Sequence, residues 1–398
     1  MKAGTLTLCL PVIMITAQHN ASALILPPFL DHLKYPVSAI GSLVSVGPVF
    51  ALAARLPSGL AYRGHRARML MVLSLLAMAL SNFLYGFTAH PVHVALVHAL
   101  NGLAFGAGTT IYFAFFVEAM PPGENRHHAL GYYAGSLALG HSAGSLAVGY
   151  IADHLGYTAS FQFGALVALL ALALILFLAH PPPARTGEGT ARGGAARTGL
   201  ESLRNLVDPA VAAVVVVALF LNLLHQIGAV FLPLYGLAVG LTLTQVGAIR
   251  GLYSLCNAVT RPLSGPVVTR FGHQSLSLVG LPLQAGVLML VPLFHGFGGL
   301  LAVFVLAGFL RAVVLVANTI GMVEDMDESR VPRGVASGIF NAAGDIGLIL
   351  GPSFGGLVAS VTGIALLFFV GPLVAALVFL LSLWGCARVR PVRGGGHR

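Results

Sequence analysis

The chain is a succession of long apolar runs separated by short polar connections. A helix needs about 20 apolar residues to cross the hydrocarbon core of a bilayer. The runs reach that length and are too continuous for barrel strands, so they predict membrane-spanning α-helices. The pattern predicts an all-α membrane protein with twelve transmembrane helices, over residues 5–28, 37–60, 68–88, 92–117, 130–152, 158–180, 209–236, 243–267, 274–295, 298–323, 334–360 and 363–386.

One stretch in the middle of the chain breaks this pattern. Residues 181–205 read PPPARTGEGTARGGAARTGLESLRN, and this density of Pro, Gly and charged residues indicates a linker. We therefore predict a six-helix bundle over residues 1–180, a linker over 181–208 and a second six-helix bundle over 209–387. A basic tail follows over 388–398.

The two predicted bundles share an internal repeat. A shift of 206 residues superposes residues of the rarer types at equivalent places in the two halves. The superposed pairs are His19 with His225, Pro27 with Pro233, Gly41 with Gly247, Arg55 with Arg261, Ser58 with Ser264, Gly59 with Gly265, Gly102 with Gly308, Glu118 with Glu324 and Met120 with Met326. The repeat predicts two pseudo-symmetric bundles, and binding sites in such duplicated membrane proteins lie between the halves.

Composition excludes the soluble classes. The chain of 398 residues is 57% hydrophobic and 8% charged, whereas an ordinary soluble domain is about 25% charged. The mean hydropathy is +0.90, which also excludes a disordered chain. Three Cys residues lie inside apolar runs without a CxxC pattern, so they predict no disulfide framework.

The basic residues predict the orientation in the membrane. The formal charge is +9, but Arg and Lys are scattered singly between apolar runs, which favours a membrane over a nucleic-acid partner. Eighteen of them, counting Arg55 and Arg261, fall on the side of the two termini and the linker, and only Lys34 falls on the other side. By the positive-inside rule, both termini and the linker are expected in the cytoplasm. An Arg-rich, Ala- and Gly-rich chain is typical of a GC-rich bacterium, so we expect a multi-pass protein of the bacterial inner membrane.

Several motifs resemble those of the major facilitator superfamily. The loop after the second helix reads GLAYRGHRAR from Gly59, and its counterpart reads GPVVTRFGH from Gly265, both without the usual Asp. The fourth helix carries His98 and Asn101 before Gly102, where proton-coupled members carry R-x-x-Q-G, and residues 351–356 read GPSFGG, an element of many exporters. Tight packing of Gly-rich helices explains the last motif equally well.

The resemblance covers essentially the whole chain and has implications for function. It implies a secondary active transporter that works by alternating access, with helices 1, 4, 7 and 10 lining a central cavity. We expect a monomer that moves a small organic, polar or zwitterionic solute by proton-coupled efflux. A metabolite importer or uniporter of the same fold is the alternative. A membrane receptor or enzyme is a less favoured class, because the sequence has no nucleotide-binding loop or nucleophile–base arrangement. No cofactor is expected, and no H-x-x-x-H pair or acidic cluster predicts a metal site.

Polar side chains inside the predicted helices are the candidates for substrate binding or coupling. Charges at membrane depth are rare and face a cavity or a partner. Arg250, Arg311 and Asp345 each continue a polar helical stripe, and a structural ion pair is the alternative role. The partner of Asp345 is left open between the two arginines. His19 and His225 occupy equivalent positions beside amides. The full candidate set is His19, Asn20, His98, Asn101, His141, His225, Gln226, Arg250, Arg311, Asn318, Asn341 and Asp345.

Acidic and basic residues near the helix ends predict a gate on the cytoplasmic side. Glu118 and Arg126 in the first half repeat the placement of Glu324 and Arg330 in the second. Ion pairs there would form in one state and break in the other, and a solvated loop is the alternative. The gating candidates are Arg63, Glu118, Arg126, Arg270, Glu324 and Arg330.

The charge bias gives a test of topology. A tag inserted in the 181–208 linker, or at either terminus, is expected to react only from the cytoplasmic side, because basic loops resist translocation. The measurement is labelling of tagged chains in intact cells and in inverted vesicles. Labelling of the linker tag from outside intact cells would overturn the orientation.

Overall fold

A computed structural model describes residues 3–120, 126–178, 209–328 and 333–389. These residues form twelve α-helices, as the apolar pattern predicts. They are α1 (Ala3–His32), α2 (Val37–Ala61), α3 (Gly64–Tyr85), α4 (Pro91–Glu118), α5 (Arg126–Leu155), α6 (Tyr157–Leu178), α7 (Pro209–Ala238), α8 (Leu243–Phe271), α9 (His273–Leu288), α10 (Phe297–Glu328), α11 (Arg333–Thr362) and α12 (Ile364–Val389). The predicted linker 181–208 and most of the tail, 390–398, lie outside the described residues.

Six helix bounds differ from the prediction by more than a turn of chain, and those of α3 and α9 show two physical reasons. Helix α3 begins at Gly64 rather than at residue 68, because a charged segment can continue a helix beyond the apolar run. Helix α9 ends at Leu288, and a short 3₁₀ turn, Val291–Leu293, follows it. Pro292 lies in that turn, and proline lacks the N–H that would continue the α-helix.

Ten spans in the described residues are long and apolar enough to cross a membrane without help from other helices. Helices α5 and α8 are not among them, because α8 carries Arg250, Arg261 and Arg270, and α5 carries several His and Gly residues. These two more polar helices pack along each other at the boundary between the halves. Burial of their polar faces inside the protein therefore replaces contact with lipid.

The twelve helices form two bundles of six, α1–α6 and α7–α12, which meet through α2 with α11 and α5 with α8. Because successive helices run in opposite directions, the connections fall at two ends. We call the termini end the one that holds residues 62–63, 119–120 and 272 and the two ends of the chain. The distal end holds residues 33–36, 86–90, 156, 239–242, 289–296 and 363.

Glycines allow the two bundles to touch backbone to backbone in a repeated way. A Cβ atom at Gly41 on α2 would overlap the carbonyl oxygen of Pro352 on α11. At the position 206 residues later, a Cβ atom at Gly247 on α8 would overlap the carbonyl oxygen of Ser145 on α5. Small residues permit this close helix approach. The sequence repeat is thus also a repeat of interface geometry.

The same repeat holds inside each bundle. A Cβ atom at Gly102 on α4 would overlap the backbone of Gly47 on α2, and one at Gly308 on α10 would lie 2.9 Å from the carbonyl oxygen of Tyr253 on α8. Gly47 and Tyr253 are themselves 206 residues apart. The two bundles therefore share the helix crossing between their second and fourth helices.

The bundles are joined most closely at the distal end. The carboxylate of Asp153 on α5 accepts hydrogen bonds from the backbone N–H groups of Leu243 and Thr244 on α8, at 2.9 and 2.7 Å, and from the Thr244 hydroxyl at 2.5 Å. Ser45 on α2 donates to the carbonyl of Ile349 at 2.7 Å and accepts from Ser353, also at 2.7 Å, both on α11. These contacts close the distal end.

Buried apolar side chains also join the two halves mainly toward the distal end. One cluster contains residues of both bundles, such as Leu30, Ile40, Phe231 and Ile249. The second cluster, which includes Tyr112 on α4, contains first-half residues alone among those described. The apolar core thus bridges the halves toward the distal end.

The Gly41 contact gives a test of the distal closure. In Gly41→Ala the added methyl group meets the α11 backbone, and overpacking of this kind costs about 1–3 kcal/mol. We expect the variant to favour an arrangement with the distal ends apart. The measurement is the distance distribution between spin labels at His32 on α1 and Ala238 on α7, both exposed, in a cysteine-free background.

Gly265→Ala is the matched control, because a Cβ atom there meets nothing within 4 Å. It is expected to keep the parent distance distribution. Identical distributions in the two variants would show that the Gly41 contact does not hold the distal ends together.

Candidate functional site

A cavity of about 350 Å³ lies between the two bundles, within the size range of small-molecule sites. It is lined from α1, α2, α4 and α5 in the first half and from α7, α8, α10 and α11 in the second. Ten of the twelve candidate residues line it, namely His19, Asn20, His98, Asn101, His141, His225, Gln226, Arg250, Arg311 and Asp345.

The other two candidates lie outside the cavity lining. Asn318 is buried on α10, and its amide donates to the carbonyl of Val214 on α7 at 3.2 Å, so it joins two helices of one bundle. Asn341 is exposed on α11, one turn from Asp345 toward the termini end. Both residues continue the polar stripes, but the stripes extend farther along the helices than the cavity does.

Asp345 forms an ion pair across the two halves. Its carboxylate lies 2.6 Å from the guanidinium of Arg55 on α2. The sequence left its partner open between Arg250 and Arg311, and neither is the partner. Arg55 exposes 39% of its side chain and Asp345 exposes 10%. Counted at about 1.5 Å per residue, Arg55 lies about 9 Å from the end of α2, so the pair stands where the cavity approaches the termini end.

The remaining arginines of the cavity have neutral partners. Arg250 on α8 donates to the carbonyl of Ala23 on α1 at 2.8 Å, which is a further contact across the halves. Arg311 on α10 donates to the carbonyl of Leu221 at 2.6 Å and to the side-chain oxygen of Asn222 at 2.8 Å. These are charge-assisted hydrogen bonds without a neutralising carboxylate.

Arg55 and Arg261 are functional candidates that the sequence analysis used only for the charge bias of the termini side. Both lie inside helices and line the cavity. Arg261 donates to the side-chain oxygen of Asn257, one turn earlier on α8, at 3.0 and 2.8 Å. The signal was present in the repeat, which pairs these two residues with each other. The candidate set omitted them because they lie near the ends of the predicted helices 37–60 and 243–267.

Several polar residues of the first half are engaged within that half. The Nε2–H of His98 donates to the carbonyl of Val44 at 3.1 Å, so its Nδ1 accepts from the Tyr85 hydroxyl at 2.5 Å. The Asn101 amide donates to Ser81 at 2.9 Å and its oxygen accepts from Ser22 at 3.2 Å. These residues line the cavity and also join α1–α4.

Asn20 and His141 connect α1 with α5 in the same half. The Asn20 amide donates to the backbone carbonyl of His141 at 3.2 Å, and its oxygen accepts from the Ser145 hydroxyl at 3.0 Å. The ring of His141 meets the ring of His19 edge-on, with centroids 6.4 Å apart. The rings of His19 and His141 thus project from two helices, α1 and α5, that these hydrogen bonds join.

The two symmetry-related histidines have different surroundings. His19 stacks on Phe105 with ring centroids 3.9 Å apart, and its buried Nδ1 has no hydrogen-bond partner in the described part of the chain. His225 stacks on Tyr253 at 5.5 Å, and its Nδ1 lies 2.9 Å from the Tyr253 hydroxyl. The Nδ1 of His19 is therefore a buried polar atom whose hydrogen-bonding capacity is not used by the described residues.

The gating candidates are only partly described. The side chains of Arg126 and Arg330 lie outside the described residues. Glu118 accepts from the Tyr62 hydroxyl at 2.5 Å, and burial together with this bond raises the pKa of Tyr62 above its usual value. Glu324 pairs with His273 at 3.0 Å.

The two basic gating candidates with described side chains have other partners. Arg63 donates to the carbonyls of Leu60 and Tyr62, at 3.2 and 2.9 Å. Arg270 lies 5.6 Å from the ring centroid of Phe271. The described acids at the termini end thus bond to Tyr62 and His273 rather than to these arginines.

Comparison with known proteins identifies partial relatives. Quinolone resistance protein NorA of Staphylococcus aureus is 28% identical over 155 residues, which is 38% of this chain and 38% of that protein. Staphylopine export protein of the same organism is 27% identical over 123 residues, 31% of this chain and 30% of that protein. The match therefore spans well under half of each relative.

The fold is shared with solved transporters along nearly the whole chain. A bacterial homolog of the human lysosomal transporter Spinster, solved in an inward-facing and unoccupied conformation, has a TM-score of 0.75 over 98% of this chain and 96% of its own. The nucleoside transporter NupG has a TM-score of 0.77 over 97% and 99%. Both are 14% identical to this chain, so the likeness concerns the fold.

A family model covers both halves of the chain. The model described as Major Facilitator Superfamily matches residues 8–331 and, separately, residues 227–396. Together with the two six-helix bundles and the cavity between them, this match assigns the chain to a family of membrane transporters. The chain belongs to the Major Facilitator Superfamily.

Proposed function

We propose that this chain is a secondary active transporter that acts as a monomer and moves a small polar organic solute by alternating access. The observation that carries the proposal is a cavity between two bundles that are joined at the distal end and bridged by one ion pair, Arg55–Asp345, toward the termini end. Rocking of the bundles about such a cavity exposes it to one side at a time.

The proposed orientation sets the state of the cavity. The basic loops argue that the termini end faces the cytoplasm of a bacterium and that the protein lies in its inner membrane. The distal contacts of Asp153, Ser45 and Gly41 then separate the cavity from the outside. In this arrangement the solute enters from the cytoplasm past Arg55 and Asp345.

Asp345 is our proposed coupling acid. It is the only carboxylate among the described residues that line the cavity. Protonation of Asp345 removes its attraction for Arg55, and because the two residues lie on different bundles, this loosens a contact that must change when the bundles rock. A proton bound at this carboxylate thus bears on the same equilibrium as the solute.

Efflux is the direction that we favour. The Staphylococcus aureus relatives are named for quinolone resistance and for staphylopine export, which supports export here. Uptake or uniport of a metabolite is the second candidate, because the fold is equally shared with a nucleoside transporter. Family and fold are those of transporters rather than of enzymes.

Inverted vesicles separate the two directions. Vesicles with the cytoplasmic side outward are supplied with a small-molecule extract of the host cell and an acid-inside pH gradient, without nucleotide. An exporter that exchanges protons is expected to accumulate one or a few solutes inside, as measured by mass spectrometry. Accumulation that survives a protonophore would contradict proton coupling, and the absence of any protein-dependent accumulation would contradict efflux.

Asp345→Asn tests the coupling role. Asparagine is similar in size but carries no titratable proton. With one proton exchanged per solute, a gradient of one pH unit supports about tenfold accumulation. We expect the variant to bind the solute identified in vesicles and to lose this accumulation.

The control for that experiment is Asp31→Asn. Asp31 is exposed at the end of α1, so the same chemical change is made away from the cavity. It is expected to accumulate solute as the parent does. Full uphill transport by well-expressed Asp345→Asn would remove Asp345 from the coupling mechanism.

The symmetric histidines give a second test of the cavity. His19→Gln is expected to weaken solute binding without lowering the melting temperature, because its Nδ1 has no partner to lose. His225→Gln is expected to lower both affinity and melting temperature, because the contact with Tyr253 is lost. Purified single and double variants are compared, and an unchanged affinity in the double variant would argue against contact of either ring with the solute.

A further inference from the structure

The cavity has a strong surplus of positive charge. Arg55, Arg250, Arg261 and Arg311 line it, and among the described lining residues only Asp345 is acidic. A guanidinium does not lose its proton in proteins. With the histidines neutral, the side chains around this space therefore carry a net charge of +3.

The chain itself does not neutralise this charge. Asp345 is paired with Arg55. Arg250, Arg261 and Arg311 bond to a backbone carbonyl or to Asn oxygens, which satisfy donors but carry no formal charge. Arg311 is buried, Arg250 is half-buried and Arg261 is exposed. Burial of charge without a counter-charge is unfavourable, which applies to Arg311 most strongly. The side chains that line the cavity thus leave its positive charge unbalanced.

The arginines also retain unused donors. A guanidinium has five N–H groups, and the hydrogen bonds described above use one in Arg250, two in Arg261 and two in Arg311. Carboxylate and phosphate oxygens fit the planar fork of Arg in a bidentate way. An anionic ligand would supply both the missing acceptors and the missing charge.

The spacing of the arginines indicates more than one anionic group. Arg250 and Arg261 are eleven residues apart on α8, close to three full turns, so they share a face about 16 Å apart along the axis. Arg311 comes from a different helix, α10. The positive charge is therefore distributed along the cavity.

Rings between these charges are suited to an organic skeleton. His19 stacks on Phe105 in the first half, and His225 stacks on Tyr253 in the second. Both pairs line the same cavity. The Nδ1 of His19, beside these rings, is buried and has no hydrogen-bond partner among the described residues.

From this geometry we infer that the transported solute is a small organic anion with two or more carboxylate or phosphate groups. The inference rests on the proposed transport function and narrows its polar solute to one with a net negative charge. A cationic solute would meet four guanidinium groups and a single carboxylate that is already paired. Displacement of Asp345 from Arg55 by an anionic group of the solute would open the bridge between the bundles.

The test is ligand binding by the purified full chain in lipid nanodiscs, without any gradient. The probes are a matched series: glutarate, glutaramide and 1,5-diaminopentane share a five-carbon skeleton and differ in charge, while tricarballylate adds a third carboxylate and glycerol 2-phosphate tests phosphate. Each is supplied up to 10 mM, and the melting temperature is measured. We expect stabilisation by the anions, greatest for the probe with most negative groups, and its decline with added salt.

Variants locate the effect in the cavity. Arg250→Gln and Arg261→Gln are each expected to weaken anion binding at least tenfold, and Arg311→Gln is a third choice because that residue is more deeply buried. Arg66→Gln removes an exposed arginine on α3 and is expected to bind as the parent does. Stabilisation by the diamine or the diamide equal to that by glutarate, or no stabilisation by any of the anions, would overturn the inference.

The binding test is independent of the transport test. If anions bind and no gradient-driven accumulation occurs in vesicles, the ligand class stands and the proton-coupled efflux proposal fails. If a cationic or neutral solute accumulates in vesicles, transport stands and the anion inference fails.

Discussion

The structure depends on the absence of water from the bilayer core. A polar group there must find a partner within the protein or face an internal cavity, since lipid offers none. In this chain many polar side chains of the spanning helices bond within a bundle, as Asn318 does, or gather around one space between the bundles. The cavity is therefore a direct result of where charge can be placed, and the surrounding apolar faces are left for lipid.

The duplication explains how the two bundles pack, and the positions at which the halves differ determine the chemistry of the cavity. The Gly41 and Gly247 contacts make the two inter-bundle seams alike. Inside the cavity the halves differ: Phe105, which stacks on His19, has Arg311 at the position 206 residues later, and Gly47 has Tyr253. A Cβ atom at Gly47 would collide with the ring of His98, whereas Tyr253 occupies the corresponding place and contacts His225. The first half thus lines the cavity mainly with rings and amides, and the second half carries most of the positive charge.

The sequence predicts the helices and most of the cavity, because both follow from patterns along a single helix. The length of an apolar run determines a span, and residues three or four apart share a face, which is how Arg250 and Asp345 were each identified on their own helix. The pairing of Asp345 with Arg55 depends on the register of α2 against α11, which no pattern within either helix records. Asn318 was a candidate because it lies two turns from Arg311 on the same stripe of α10. The structure places it outside the cavity lining, where it bonds to Val214.

The backbone N–H groups in the first turn of α8 are capped partly by residues of the second half and partly by a residue of the first half. This difference bears on how the two halves can separate. Thr242 and Gln245 bond to each other's backbone N–H groups, so two amides at this helix end are satisfied from within the second half. The two amides between them, of Leu243 and Thr244, are satisfied by Asp153 of the first half. If the distal ends separate as proposed, the Thr242 and Gln245 amides keep their partners, and the Leu243 and Thr244 amides exchange Asp153 for water. A hydrogen bond to a charged group contributes about 1.5–3 kcal/mol. Helix α8 would therefore keep its start in both states, and the polar part of the distal seal consists of bonds that water can replace, beside the apolar contacts of the shared core.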